Sequence, residues 1–463
     1  MPANVSQRRN SWTAAAIGGA ALAVAFVPTG LPPQLATAAA VVVFVIGLWA
    51  TGAWPEHVAT LAFFLLVLLT GVAPPGVVFS GFSSSAWWLV FTGLIVGVAV
   101  KRTGLGERIA ARVVRNAAQG YAGVIAAIVG VGLVFTFVMP SSMGRTIMLL
   151  PIALAFAGRL GYAAGSRGHA GIAMAAVLGA YLPSAAVLPA NLPNVVLAAA
   201  AEQLYGIKVS YAGYLLLHFP VIGLAKSALI VLLVTLLFAE APRARPAPAP
   251  AAPTWTGQEK LLALVLAASV GLWMSDFLHG ISPAWIGLAA ALACMLPFVG
   301  LVTADAFNRD ISWIALIHTA GVIGLGAVVA HSGLGGMLGE WLAAAAPFRS
   351  GELLWNFWLI STIGTLVCMV TTTPGVPAVL TPLAGTLADA SGLSVNTVVM
   401  AQALGFSNLL FPYEGAPLVF AIHYAGVSLA QATRVLLLLL GAATLVLLTP
   451  LTWWWWVWIG HAP

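Results

Sequence analysis

Apolar residues fall in long runs along the whole chain, each close to the ~20 that carry a helix across a bilayer. Uninterrupted runs are read at about 12–29, 33–51, 57–74, 86–101, 212–238, 259–276, 282–300, 310–331 and 430–450. Two more, at 169–205 and 394–425, are broken in the middle by proline and polar residues. Two further apolar units, about 121–160 and 352–390, carry a polar Pro/Gly tip at their centre. These predict re-entrant hairpins that enter and leave on the same side.

The interruptions recur in both halves. The first tip reads Met139-Pro140-Ser141-Ser142-Met143-Gly144-Arg145-Thr146 and runs on to Pro151. The second reads Thr371-Thr372-Thr373-Pro374-Gly375-Val376-Pro377 and runs on to Pro382, 231 residues after Pro151. Each is followed by a break: Leu188-Pro189-Ala190-Asn191-Leu192-Pro193-Asn194 in the first half, Phe411-Pro412-Tyr413-Glu414-Gly415-Ala416-Pro417 in the second. Irregular backbone at membrane depth survives only where protein or a water-filled cavity satisfies its polar groups. Paired breaks at matching places in two halves point to the binding site of a transporter.

Composition agrees. The chain is 61% hydrophobic and 6% charged, against about 25% charged in soluble domains. The fold class expected is an all-α polytopic membrane protein with no separate soluble domain. The net charge of +6 gives no reason to expect nucleic acid, because the basic residues sit in short loops. Cys294 and Cys368 lie in apolar runs, and the eight histidines are scattered singly, so no metal-ligand spacing or disulfide framework is present. Arg8-Arg9 before an apolar run resembles a secretion leader, but further spans follow at once, and a retained first helix is expected.

With the N-terminus inside, fourteen of the 18 Lys and Arg fall on the inner side, only Lys208 and Arg349 fall outside, and Arg145 and Lys226 lie within membrane segments. That bias fixes the orientation: a bacterial-type inner (cytoplasmic) membrane, N-terminus cytoplasmic, C-terminus outside. The segment Ala241 to Thr254 is an Ala/Pro linker, extended and semi-rigid. It divides the chain into an N-terminal tail and helix (1–32), a first repeat (33–240), the linker (241–256) and a second repeat (257–463). Each repeat has five spans plus a hairpin. Five is odd, so the second is inserted upside down relative to the first. Trp88 with Thr103-Gly104-Leu105-Gly106 is echoed by Trp313 with Ser332-Gly333-Leu334-Gly335.

Phe82 to Ile109, the two tips and the two breaks resemble the divalent anion:sodium symporters, a family of dicarboxylate and citrate carriers in the ion transporter superfamily. The resemblance covers about residues 33 to 450. It implies eleven transmembrane helices, two hairpins, an inverted repeat and a homodimer built on a scaffold region. It also implies a transport region that moves like an elevator. The family's tips carry Ser-Asn-Thr. Here the corresponding positions read Ser141-Ser142-Met143 and Thr372-Thr373-Pro374, so the asparagine and final threonine are lost in both. The family's breaks carry Thr-Pro-Pro-Asn. Here they read Asn191-Leu192-Pro193-Asn194 and Gly415-Ala416-Pro417-Leu418. The architecture therefore carries over better than the sodium sites or the dicarboxylate specificity.

A tip places the free N–H groups and positive dipole end of its second helix in the interior, a ready anion site. Ser141, Ser142, Thr372 and Thr373 add hydroxyls, with Met143, Gly144, Pro374 and Gly375 shaping the tips. The alternative role for these hydroxyls is helix capping. Arg145 is a charge inside a membrane segment, a functional position by default. It is read either as a bidentate partner for a substrate carboxylate or as an ion-pair partner of Glu414. Glu414 is in turn a proton carrier or that structural partner. Asn191, Pro193, Asn194, Tyr413 and Gly415 line the breaks, where unwound carbonyls suit a small cation. Cation or proton coupling is assigned to Ser141, Asn191, Thr372, Tyr413, Glu414 and Gly415. Arg145 and Glu414 together could replace one or both sodium ions. Lys226 is left between snorkelling, pairing and facing the cavity.

The function expected is secondary active transport of small organic anions, di- or tricarboxylates, by alternating access, with the substrate between the two tips near the midplane and the movement coupled to sodium or protons or run as an exchange. No cofactor is expected beyond sodium ions or protons as coupling ions, and the partners are the anionic substrate, the lipid bilayer and a second copy of the chain. Alternatives are an inorganic oxyanion carrier, a proton-coupled anion exporter, a channel or a membrane enzyme. The last is disfavoured because no nucleophile and base stand at a productive spacing.

Overall fold

The computed structural model describes residues 3–26, 30–115, 120–241 and 254–461. The body of the predicted linker, 242–253, lies outside the described residues. Helices and turns make up the described chain, without a strand among the described residues. Among the described residues, seven helices are individually long and apolar enough to cross a membrane, and Gly375–Ser391 with Val395–Ser407 form a bent pair at 117° that makes an eighth candidate. The remaining apolar segments are shorter or interrupted, so length and composition alone give fewer spans than the eleven expected.

Both predicted hairpin segments are helix–break–helix. The first is Tyr121–Val138 followed by Ser142–Arg159, and the second is Leu353–Val370 followed by Gly375–Leu380 and Ala384–Ser391. The two broken segments are also broken here. Arg167–Tyr181 and Leu192–Tyr205 are separated by two short 3-10 turns, and Val395–Ser407 and Ala416–Ala425 by an irregular stretch with one such turn. Proline explains the interruptions: it lacks the N–H that a helix interior needs, and Pro183, Pro189, Pro193, Pro412 and Pro417 all sit at or beside these turns.

The first helix of each predicted hairpin segment meets the first half of the broken segment that follows it through paired glycines. A Cβ on Gly132 would stand 2.4 Å from the backbone of Gly179, and one on Gly179 would stand 2.7 Å from the Cα of Val129. In the second half, a Cβ on Gly405 would stand 2.7 Å from the Cα of Gly364. Such backbone-to-backbone approach is how helices gain van der Waals energy where lipid supplies no hydrophobic drive. The same device at the same place in both halves is the structural counterpart of the repeated tips.

The halves then interlock. Leu192–Tyr205, from the first half, packs on Gly375–Leu380 of the second hairpin, while Ala416–Ala425, from the second half, packs on Ser142–Arg159 of the first. Tyr205 fastens one of these contacts: its hydroxyl donates to the Thr381 carbonyl at 2.9 Å and accepts from the Gly385 N–H at 3.0 Å.

Two helices of more than ten residues lie outside the apolar runs of the sequence. Leu105–Arg115 and Leu334–Ala345 follow the echoed Gly-Leu-Gly stretches. Gly104 and Gly333 take φ of +72° and +79°, a left-handed turn that glycine makes without penalty. Arg108 ties the first of these helices to Gly257–Met274 through a 2.6 Å ion pair with Glu259.

The C-terminal tryptophans are divided. Trp454 and Trp458 are exposed, as an interfacial anchor requires, but Trp453 and Trp456 are buried. Pro220 lacks an N–H and starts a wide π-helical turn at Phe219–Ala225, which loosens the local ladder. The indole N–H groups of Trp455 and Trp456 donate to the carbonyls of Leu216 and Leu217 at 2.9 and 3.0 Å. Part of the tryptophan run therefore satisfies backbone and does not anchor to lipid.

Candidate functional site

The first tip is closed by its own serine. Ser141 caps Ser142–Arg159, its hydroxyl accepting from the Gly144 N–H at 3.1 Å, and its carbonyl accepts from the Arg145 N–H at 2.9 Å. Capping, one of the two roles read for this hydroxyl, is what it performs here. Ser142, Met143 and Gly144 are half-buried beside it. The second tip turns on Thr371, whose hydroxyl donates back to the Val367 carbonyl at 2.8 Å, and on a 2.8 Å bond from the Gly375 N–H to the Thr372 carbonyl. Pro374 precedes the helix without a side-chain cap. Thr372 and Pro374 are half-buried, Thr373 and Gly375 buried.

Arg145 is fully buried. Its guanidinium donates from Nε to the Ala180 carbonyl at 2.8 Å, from Nη1 to the Met139 carbonyl, and from Nη1 and Nη2 to the Ala190 carbonyl at 3.1 Å each. Four of its five N–H groups are thus spent on backbone oxygens from the tip, the end of Arg167–Tyr181 and the first break. No two parallel donors remain for a carboxylate. Glu414 does not pair with it: its Oε1 accepts from the N–H groups of Leu410 and Phe411 at 3.2 and 2.8 Å. Oε2 is buried with no hydrogen-bond partner among the described residues.

Asn194 is buried and holds the first break: its amide donates to the carbonyls of Ser184 and Val187 at 2.9 and 2.8 Å, while Oδ1 is left unpartnered among the described residues. Asn191 is buried just before Leu192–Tyr205, and Pro193 fixes that helix's first turn. Tyr413 is largely exposed and donates to the Met369 carbonyl at 2.9 Å, joining the second break to the first arm of the second hairpin.

The residue that the sequence did not reveal is Tyr181. It ends Arg167–Tyr181, and its hydroxyl lies 3.3 Å from that of Thr373 in the second tip. Its ring lies where a Cβ on Gly415 would meet it at 2.4 Å, so only glycine fits at that position of the second break. Both tips and both breaks therefore meet around Ala180 and Tyr181. Lys226 is also placed: fully buried, it donates from Nζ to the Ser407 carbonyl at 2.6 Å and to the Ser407 hydroxyl at 3.3 Å.

Beside this cluster lies a cavity of about 650 Å³, lined by Ser85, Leu89, Leu188, Glu202, Lys208 and Asp276 among others. Ser85 donates to Glu202 at 3.1 Å, and Asp276 caps Tyr211–His218 through the Tyr211 N–H at 2.5 Å. A smaller, apolar void of about 20 Å³ touches Pro140 and Pro189 and shares Leu89 with the larger one.

Two matching helical units, each with a broken tip and a broken segment converging in the interior, define a secondary transporter. The model of the sodium:sulfate symporter transmembrane region matches residues 9–461, and the chain belongs to that family. A Cupriavidus necator protein described as a membrane protein is 22% identical over 404 residues, covering 82% of this chain and 79% of that one. The crystal structure of the Alcanivorax borkumensis YdaH transporter, described as revealing an unusual topology, is similar in fold. Its TM-score is 0.55 at 19% identity, over 86% of this chain and 89% of that one. The resemblance found in the tips and breaks is thus upheld, and the chain is a carrier and not an enzyme.

Proposed function

We propose that this carrier moves small dianions, organic dicarboxylates before inorganic oxyanions, by alternating access at the junction of the two tips. The observation that carries the reading is the 3.3 Å approach of Tyr181 to Thr373. It joins the second tip to the helix end that holds the first. An anion there meets the N–H groups of Ser142 and Met143, which Ser141 leaves free, and the hydroxyls of Ser142, Thr372 and Thr373, with the positive ends of helix dipoles behind them.

The N-terminal helix and five spans in each repeat, besides its hairpin, make eleven spans, with the linker and N-terminus in the cytoplasm and the C-terminus outside. The cavity lined by Glu202 and Lys208 is then the outer vestibule, since the charge pattern puts those residues outside. The hairpins and broken segments form a transport region that slides against a scaffold, and two copies of the chain pair through that scaffold.

Counterflow in proteoliposomes tests this. Vesicles loaded with a succinate-like dianion should accumulate the labelled dianion from outside, and a sulfate-like ion should compete weakly. Uptake without trans-stimulation would replace the carrier by a channel, and stronger competition by sulfate would move the substrate to the oxyanions named by the family.

A further inference from the structure

The carbonyl end of a half-helix carries partial negative charge. In carriers with broken helices, such ends and the unwound carbonyls beside them are where a monovalent cation is held. Two such ends lie in the interior here, at Ala180–Tyr181 and at Ser407. They are equivalent to within a residue, being set by the Gly179 and Gly405 contacts described above. Both are already taken by a side-chain cation.

At the first end, the guanidinium of Arg145 lies among the carbonyl oxygens of Met139, Ala180 and Ala190. At the second, the ammonium of Lys226 holds the carbonyl and hydroxyl of Ser407. The relative exposures are 0% and 1%. Among the described residues neither cation has a carboxylate within ion-pair distance. A buried cation without a counter-ion is expensive. Carbonyl dipoles and helix ends compensate these two, as they would compensate an alkali ion.

The chemistry suits each place. Three oxygens on three sides match a planar guanidinium, whose charge is spread and whose donors fan outward. One helix end with a hydroxyl matches a compact ammonium. Sodium could enter the first set of oxygens only by displacing a group tied to the chain, which competes at high effective concentration.

We propose that Arg145 and Lys226 are tethered cations that fill the two carbonyl cages of the carrier, so that it works without a bound alkali ion. This rests on the transport reading for its place in the cycle, but the occupancy is a binding claim that can be read separately. A divalent anion then has two fixed positive charges nearby and needs no co-bound sodium to offset it.

The test is thermal unfolding of the purified full-length protein in choline, sodium and methylguanidinium chlorides at matched millimolar concentrations. The wild type should unfold at one temperature in all three. Arg145→Gly should unfold earlier in choline and regain several degrees, saturably, in sodium or methylguanidinium. A purely structural clamp predicts the same loss in every salt, and that result overturns the proposal. So does a saturable sodium shift in the wild type. If Arg145→Gly does not fold, Lys226→Ala carries the same measurement with methylammonium. Counterflow keeps the two ideas apart. Wild-type vesicles that exchange no anion overturn the transport reading, whereas exchange that requires sodium overturns the tethered cations.

Discussion

Tyr181 and Thr373, 192 residues apart in the chain, bring their hydroxyls to 3.3 Å in the interior. One stands at the end of the first broken helix and the other at the second tip. Neither has a charge, so the bond between them is a neutral one of modest strength. Tyr181→Phe keeps the ring against Gly415 and removes only the hydroxyl. A neutral hydrogen bond is worth about 1 kcal/mol net, so folding should survive, with a melting temperature within a few degrees of wild type. Counterflow should change by about five-fold, the rate equivalent of 1 kcal/mol. A variant indistinguishable from wild type in the counterflow assay would show that the two units are not coupled through this pair.

The same ring explains why Gly415 has no substitute. A Cβ there would sit 2.4 Å from the Tyr181 ring, well inside contact distance. Gly415→Ala should cost about 1–3 kcal/mol, as overpacking does. The double variant Gly415→Ala with Tyr181→Leu, which removes the ring, should recover much of that loss in thermal unfolding. Failure to recover would place the strain in the backbone of the break.

The paired glycines lend themselves to a symmetric test. Gly179→Leu and Gly405→Leu each push a side chain into the backbone of the facing hairpin arm, at Val129 and Gly364 respectively. Both should lower the melting temperature, because both sit at equivalent backbone contacts. Loss at one position only would mean that the two halves are not mechanically equivalent.

Most of what was legible in the sequence is backbone punctuation. Pro140, Pro189, Pro374 and Pro412 interrupt apolar runs in a way that physics reads directly, because each removes an N–H, and the helices end where they predict. The partners of the side chains were not legible. Arg145 stood out as a buried charge, but its ligands are main-chain oxygens, which leave no trace in residue identity. Lys226 was visible as a mid-span lysine, yet Ser407 lies 181 residues away. Tyr181 carried no signal at all, being one aromatic at the end of an apolar run. Leu105–Arg115 escaped because Arg108, Arg112 and Arg115 read as a charged loop, although Leu105 and Ala110 are buried on its inner face.

Asn194 gives a prediction about stability rather than transport. Its amide gives a second donor to two carbonyls in the first break, those of Ser184 and Val187, which also accept from the Val187 and Ala190 N–H groups at 3.2 and 2.9 Å. Each of these bonds is worth about 0.5–1.5 kcal/mol net. Asn194→Leu should therefore lose about 1–3 kcal/mol of stability. Asn194→Gln, which keeps the donor on a longer stem, should recover part of the loss. Equal stability of all three proteins in thermal unfolding would mean that water replaces the amide freely, and that the break is open rather than packed.

Substitution at Glu414 tests whether exchange and net movement separate. One oxygen is fixed by the N–H groups of Leu410 and Phe411 and the other has no good donor, so a proton can be added to Oε2 without breaking a bond that holds the break. Anion-for-anion exchange returns the site loaded and moves no net charge, so it needs no proton. Net uptake returns the site empty and does need compensation if Glu414 carries a proton. Glu414→Gln keeps the acceptor for Leu410 and Phe411 and fixes the neutral form. Counterflow should then persist at near wild-type rate, while uptake driven by an imposed pH gradient should fall at least about ten-fold, the range in which a lost proton-transfer group shows itself. If both activities fall together, the carboxylate is needed to hold the break. If neither falls, the proton, where one moves, travels on another group.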